Sequence, residues 1–256
     1  MTAPSLVPFI GFPAAGNNSN TTDGGAVVEV ATATSGYVPL IPVGTIIQTN
    51  DRYWGGLELI RLSIPTGTSV NVGNISVLTA NFSYTAVPNT ANLGRSLAIS
   101  TARVPSNATF VQYAWFAIAG QQPVLCGASV AADTAFGITA AGVGGANSAG
   151  KQILNARVVT ASTTTVVKAN TVTQSGSNVI YVQNTDGWFV GLPVSGTGIA
   201  ASSVITAIDA DNRRVVLNNN ATATGSVSVT GTYNDGSANY WNIATFNRPF
   251  AQGAIT

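Results

Sequence analysis

Between Thr171 and Thr232 the chain alternates short β-branched runs with turn clusters, a punctuation that favours antiparallel strands over any other structure. The runs are NVIYVQ, SSVITAID, RRVVLN and GSVSVTGT, and the breaks are NTDG at Asn184–Gly187, GTG at Gly196–Gly198 and DADN at Asp209–Asn212. Runs of this length, bounded by Asn, Asp and Gly, are hairpin signatures. The flanks, ILNARVVTASTTTVVKA (Ile153–Ala169) and YWNIATFNRP (Tyr240–Pro249), are themselves strand-like, and neither resembles the end of a domain. The stretch 171–232 therefore predicts a small β module inserted between two strands of one body. Such a graft is tolerated where chain ends lie close together at a surface.

The rest of the chain extends this reading. AVVEVATA (Ala26–Ala33), GYVPLIPVGTIIQ (Gly36–Gln48) and LELIRLSIP (Leu57–Pro65) read as strands, with the turn Asn50–Gly56 before the last. Leu57, Leu59 and Arg61 are predicted to face one way and Glu58, Ile60 and Leu62 the other. Thr68–Tyr84 reads as two strands about Gly73–Asn74, and Val87–Arg95 as a loop. Leu97–Val104, Thr109–Gly120 and Pro123–Val130 read as three successive strands, with a tight turn at Gln121–Gln122. Ala131–Gly150 reads as a small-residue loop. No long segment carries the apolar period of an amphipathic helix, so the expected fold class is all-β. The expected body is a β-barrel or sandwich of residues 26–170 and 233–256, with the module at 171–232 inserted in it. Residues 1–25 carry Pro4, Pro8 and Pro13 and then GNNSNTTDGG, the composition of an extended N-terminal arm. Its apolar residues Phe9, Ile10 and Phe12 are candidate anchors on the chain's own body, on a sister subunit or on another protein.

Composition removes several classes of function. Charged residues make up only 7% of the chain, against about 25% in ordinary globular proteins, so the surface is either solvated mostly by Thr, Ser, Asn and Gln or partly hidden against other molecules. Ten basic and nine acidic residues are scattered singly. No basic stripe exists to displace counterions, so nucleic acid is not an expected partner. The absence of histidine removes Ser-His-Asp and Cys-His catalysis and every His-ligated metal site. The single cysteine, Cys126, permits no disulfide within the chain and reads as a small buried hydrophobe. No stretch reads as a membrane span, and the first residues lack the charged and apolar regions of a signal peptide.

The motifs that carry chemistry elsewhere are incomplete here. GANSAGKQ (Gly145–Gln152) approaches a phosphate-binding loop, but Gln152 stands where the magnesium-binding hydroxyl belongs, and the following ILNARVVTA is strand-like. Asp186, Asp209 and Asp211 are the densest carboxylates, and each lies in a turn sequence where Asp bonds its own backbone. Asp209, Asp211 and Asn212 offer oxygens to calcium, but without the glycine and terminal glutamate of a calcium loop. Triplets for N-glycosylation at Asn20, Asn74, Asn81 and Asn107 are expected by chance in a chain this rich in Asn, Ser and Thr. No cofactor and no catalytic residue is assigned, and the expectation is a protein that is not an enzyme. Among the tryptophans, Trp115 lies in the apolar run YAWFAIAG and reads as core. Trp54 and Trp188 follow turns and, with Phe9, Ile10 and Phe12, are the interface candidates.

Several phrases together resemble tailed-phage virion proteins of the capsid decoration (cement) type. They are PVGTIIQTNDRYWGGLELI, VPNTANLGRSLAIS, NATFVQYAWFAIAG and VLCGASVAADTAFGITAAGVGGANSAGKQILNARVV. The inserted VSGTGIAASSVITAIDADNRRVVLNNNATATGS is similar to small β modules of phage head, tail and fibre proteins. The resemblance implies a virion structural role on the phage head surface, after synthesis in the bacterial host cytoplasm. It implies the major capsid protein as partner and a homo-oligomer, a trimer being one such form, with no membrane contact. The alternative is a tail fibre or receptor-binding component, recognising host surface glycans through turn-borne Trp and Asn. Fibres carry long repeats or a coiled-coil stalk, and neither is present in this sequence.

Overall fold

The computed structural model describes residues 41–51 and 53–253, and the backbone of three two-residue strands, β1 (Thr22–Asp23), β2 (Ala26–Val27) and β3 (Glu29–Val30). The described residues are all-β, with no helix. The larger sheet contains β3 with β4 (Ile46–Asp51), β5 (Gly55–Ile64), β6 (Ile75–Val77), β7 (Leu93–Ser100), β8 (Gln112–Cys126), β9 (Phe136–Ala140), β10 (Val143–Ala146), β11 (Ile153–Thr160) and β18 (Tyr240–Gly253). A closed six-stranded barrel follows the order β12 (Thr165–Thr173), β13 (Val179–Tyr181), β16 (Arg214–Leu217), β15 (Ser203–Asp209), β14 (Pro193–Gly196) and β17 (Gly225–Thr232).

Two long strands organise the body. The C-terminal half of β8 pairs with β18, from Ala119 opposite Asn247 to Cys126 opposite Tyr240. Beyond Ala119 and Asn247 the two part, and β7 takes both as partners, through Ile99 opposite Ala117 and Ser96 opposite Phe250. The other edge of β8 carries β5, whose alternation separates two cores. Leu57 and Leu59 join Ile99, Trp115 and Phe246 in one, while Ile60, Leu62 and Ile64 join Ala98, Phe116 and Ile118 in the other. Arg61 shares the first face, buried, with its guanidinium 5.2 Å from the Tyr113 ring.

Several strand limits differ from those the sequence suggests. No turn forms at Gln121–Gln122, because β18 offers an unbroken partner opposite Gln121, Gln122 and Pro123. The chain bends one residue earlier at Gly120, where φ is +117° and a Cβ would lie 2.5 Å from the Gly56 carbonyl oxygen. The stretch Ala131–Gly150 is not a plain loop. It folds as the β9–β10 hairpin, anchored by the buried Phe136 and Ile138, and its glycines admit close packing: a Cβ on Gly145 would meet the Thr139 side chain. Thr68–Tyr84 holds one three-residue strand, β6, rather than two, and Val87–Arg95 runs into β7 at Leu93.

The barrel lies in the connection between two neighbouring strands of the body. β11 and β18 pair directly, Thr160 opposite Ile243. The chain passes into the barrel along β12 and out along β17, and these strands also pair, Thr165 opposite Thr232. The module start suggested at Thr171 falls inside β12, which is barrel wall from Thr165 onward.

Candidate interaction surfaces

The seam between barrel and body is built from aromatics. Val72, Leu125, Trp241 and Ile243 of the body share one buried cluster with Trp188, Phe189, Tyr233 and the aliphatic lining of the barrel. Phe189 lies 5.5 Å from the Trp241 ring and 5.8 Å from the Tyr233 ring, centroid to centroid. Each polar tip finds an acceptor, as a buried ring with an N–H or O–H requires. Trp241 Nε1 donates to the Val72 carbonyl at 3.1 Å, Trp188 Nε1 to the Val166 carbonyl at 3.2 Å, and the Tyr233 hydroxyl to the Gly187 carbonyl at 2.9 Å. Lys168, on β12, donates through Nζ to Asn184 Oδ1 and to the Asp186 carbonyl, both at 2.6 Å, with the Trp188 ring 5.9 Å away. Burial lowers its pKa below the usual lysine value, and the charge of Asp186 works against that shift.

This seam accounts for both tryptophans among the interface candidates. Trp188 is only 5% exposed, so it belongs to the interior and not to an outer surface. Trp54 is half-buried and packs on the same cluster. Asp51 Oδ1 fixes its turn by accepting from the backbone N–H groups of Tyr53 and Trp54, both at 2.7 Å. The neighbouring Tyr53 stays 49% exposed and lies over Gly187 of the barrel. Trp115 is buried in the body. Phe9, Ile10 and Phe12 lie outside the described residues.

The carboxylates do not converge. Asp209 accepts from the Asn212 side chain at 2.7 Å and from its backbone N–H at 3.1 Å, and these bonds hold its pKa below the usual carboxylate value. Among the described residues no three His, Cys, Asp or Glu side chains are grouped as a metal site. The segment after Gly145–Gln152 is the strand β11, and Lys151 Nζ bonds Asn89 Oδ1 at 2.8 Å. Cys126 is buried, and burial pushes its thiol up to about 12, with the neighbouring Asn242 side chain working against that shift. A thiol so placed stays protonated and unreactive.

The barrel's outer wall carries a feature that no sequence motif announces. Ser226, Val172, Tyr181, Arg214 and Asp209 are successive register partners across β17, β12, β13, β16 and β15. Register partners share a face, and here it is the outer one: Ile180 and Val215, next in sequence, are buried. Val172 and Tyr181 are about half exposed, at 51% and 52%. With Thr173, Gln174, Ser177, Val179 and Arg214 they line a groove of about 330 Å³. The signal for it lies in NVIYV and RRVV, where the outward positions of otherwise β-branched strands are given to a Tyr and an Arg. The arrangement is suited to non-covalent binding. Compared with known proteins, the chain matches no family profile, no curated protein and no solved structure.

Proposed function

We propose that the chain is a structural component of a tailed-phage virion, of the capsid decoration type, and that it works by binding and not by catalysis. The observation that carries this reading is the seam. A barrel sealed to the body through Trp188, Tyr233 and Trp241 makes one stiff unit from two folded parts, suited to bracing a lattice. A charge-poor surface rich in Thr, Asn and Ser fits attachment by many modest contacts, since copies held on a symmetric particle gain affinity from one another. The partner in this reading is the major capsid protein, and sister copies complete the contact.

Copy number tests it. Quantitative mass spectrometry of purified particles, with the major capsid protein as internal standard, is expected to give on the order of hundreds of copies, as attachment to a symmetric lattice requires. A count of about ten or fewer places the chain on the tail instead, and absence from the particle ends the proposal.

A further inference from the structure

We propose that the outer wall of the barrel binds an acidic saccharide, a pyranose chain bearing a carboxylate laid across Val172, Tyr181 and Arg214. The three residues lie side by side on adjacent strands. At a strand spacing of about 4.8 Å they span roughly 10 Å, the length of about two pyranose rings. Tyr181 offers an exposed ring at the centre of the row, the surface on which the C–H face of a sugar stacks. Val172 extends the apolar strip on one side. On the other, the Arg214 guanidinium presents a planar fork that matches a carboxylate in a bidentate pair.

The polar ends in the groove divide into fixed and free. Thr173 Oγ1 donates to the Ala223 carbonyl at 2.9 Å, and Ser177 Oγ accepts from the Val179 N–H at 3.1 Å, so these two hold the walls. The Tyr181 hydroxyl and the Gln174 amide have no hydrogen-bond partner among the described residues, and the Arg214 guanidinium makes no hydrogen bond there either, although the Asp209 charge beside it attracts it. Asp209, next to Arg214 in the row, spends its oxygens on Asn212. Two unbonded polar groups and a guanidinium fork with no hydrogen bond, set around one exposed ring, are the equipment of a sugar site, and Arg214, the one charged side chain among the described residues of the lining, selects an acidic sugar. One cation is too few for a nucleic-acid backbone. The proposal concerns the barrel wall alone and does not depend on which part of a particle carries the chain.

The test uses the full chain on an array of uronate-bearing, sialate-bearing and matched neutral oligosaccharides, followed by calorimetric titration of the strongest acidic member. Saturable binding is expected, about tenfold or more tighter than to the neutral counterpart. Tyr181→Ala and Arg214→Gln are each expected to weaken it about tenfold or more without changing the melting temperature, since both side chains are exposed. Arg214→Lys, which keeps the charge and loses the fork, should weaken it too. Val159→Ala, at an exposed site on the body, should not. No binding to any acidic member at about 10 mM overturns the proposal. Equal binding to neutral sugars, or binding that survives both Tyr181→Ala and Arg214→Gln, overturns it as well.

Discussion

The body and the barrel solve the same problem, hiding sheet edges and faces, by different means. The barrel closes on itself and has no edge, but its core is not its own: Val72, Leu125, Trp241 and Ile243 of the body complete it. The body keeps separate cores on the two faces of β5, yet its sheet stays open, held by two long strands that exchange partners where they part. Closure of the hydrogen-bond ladder and self-sufficiency of the core are therefore distinct properties. The barrel has the first without the second.

The sharpest way to break this comparison is to excise the barrel. Replacing residues 161–239 with a short Gly-Ser turn leaves Thr160 opposite Ile243 but strips the cover from four large apolar side chains of the body. At about 1.5–3 kcal/mol for each side chain, the loss rivals the whole stability of an ordinary domain, about 5–15 kcal/mol. The expected product aggregates or melts without cooperativity. A body that still melts sharply within about 5 °C of the full chain would prove it self-sufficient.

A smaller cut tests the seam from within. Trp241→Ala should cost about 3–5 kcal/mol, because it empties a large site and leaves the Val72 carbonyl without its donor. Calorimetry of the full chain should show one transition, and the variant should lower it as a whole. Two transitions, only one of them shifted, would mean that barrel and body unfold independently.

The smallest effect reads the body alone. Cys126→Ala should cost about 1 kcal/mol at pH 8, a lost sulfur in a packed core. Its pH dependence has a definite sign. The unfolded thiol ionises from about 9.0 and the folded one only near 12, so the thiol's contribution is intact below pH 9 and is lost as pH rises through that window. Urea midpoints of wild type and Cys126→Ala should meet within about one pH unit above 9 and then cross, the variant becoming the more stable as pH approaches 12. Tyr84, also raised to about 12 by burial, keeps some alkaline loss in both. A wild-type advantage that persists or grows above about pH 10 would contradict the burial of Cys126.

Much of this architecture was legible where local chemistry decides it. The turns at Asp209–Asn212 and Asn184–Gly187 form as their residues dictate, the first with Asp209 bonded to Asn212 and the second with the Asn184 side chain accepting from the Asp186 N–H. The strict alternation of β5 was legible too. What escaped were features decided by distant partners. Gln121–Gln122 has turn-like composition, but β18, more than a hundred residues on, holds it extended. Trp188 follows a turn, and it becomes interior only because distant strands close over it, Val166 accepting from its Nε1 and Gly231 leaving room for its ring. The row Val172–Tyr181–Arg214 is a product of register across three strands, and no window of sequence contains it.

The pairing of Thr165 with Thr232 bears on the order in which the chain acquires structure. β18 supplies partners to β7, β8 and β11, yet it is the last strand of the body to leave the ribosome. Until then β8 and β11 wait with open ladders. The barrel, made in the interval, has its six strands within one contiguous stretch and can begin to pair them, although Trp241 and Ile243 of β18 are needed to complete its core. Once it closes, the long excursion from Thr160 to Tyr240 shrinks to the short span between two adjacent strand ends. Loop closure then costs what a short loop costs, because the entropy of closing a loop depends on its flexible length alone. Pairing of the barrel strands in effect brings β18 to its slot, and Trp241 and Ile243 then complete the barrel's core as β18 completes the body.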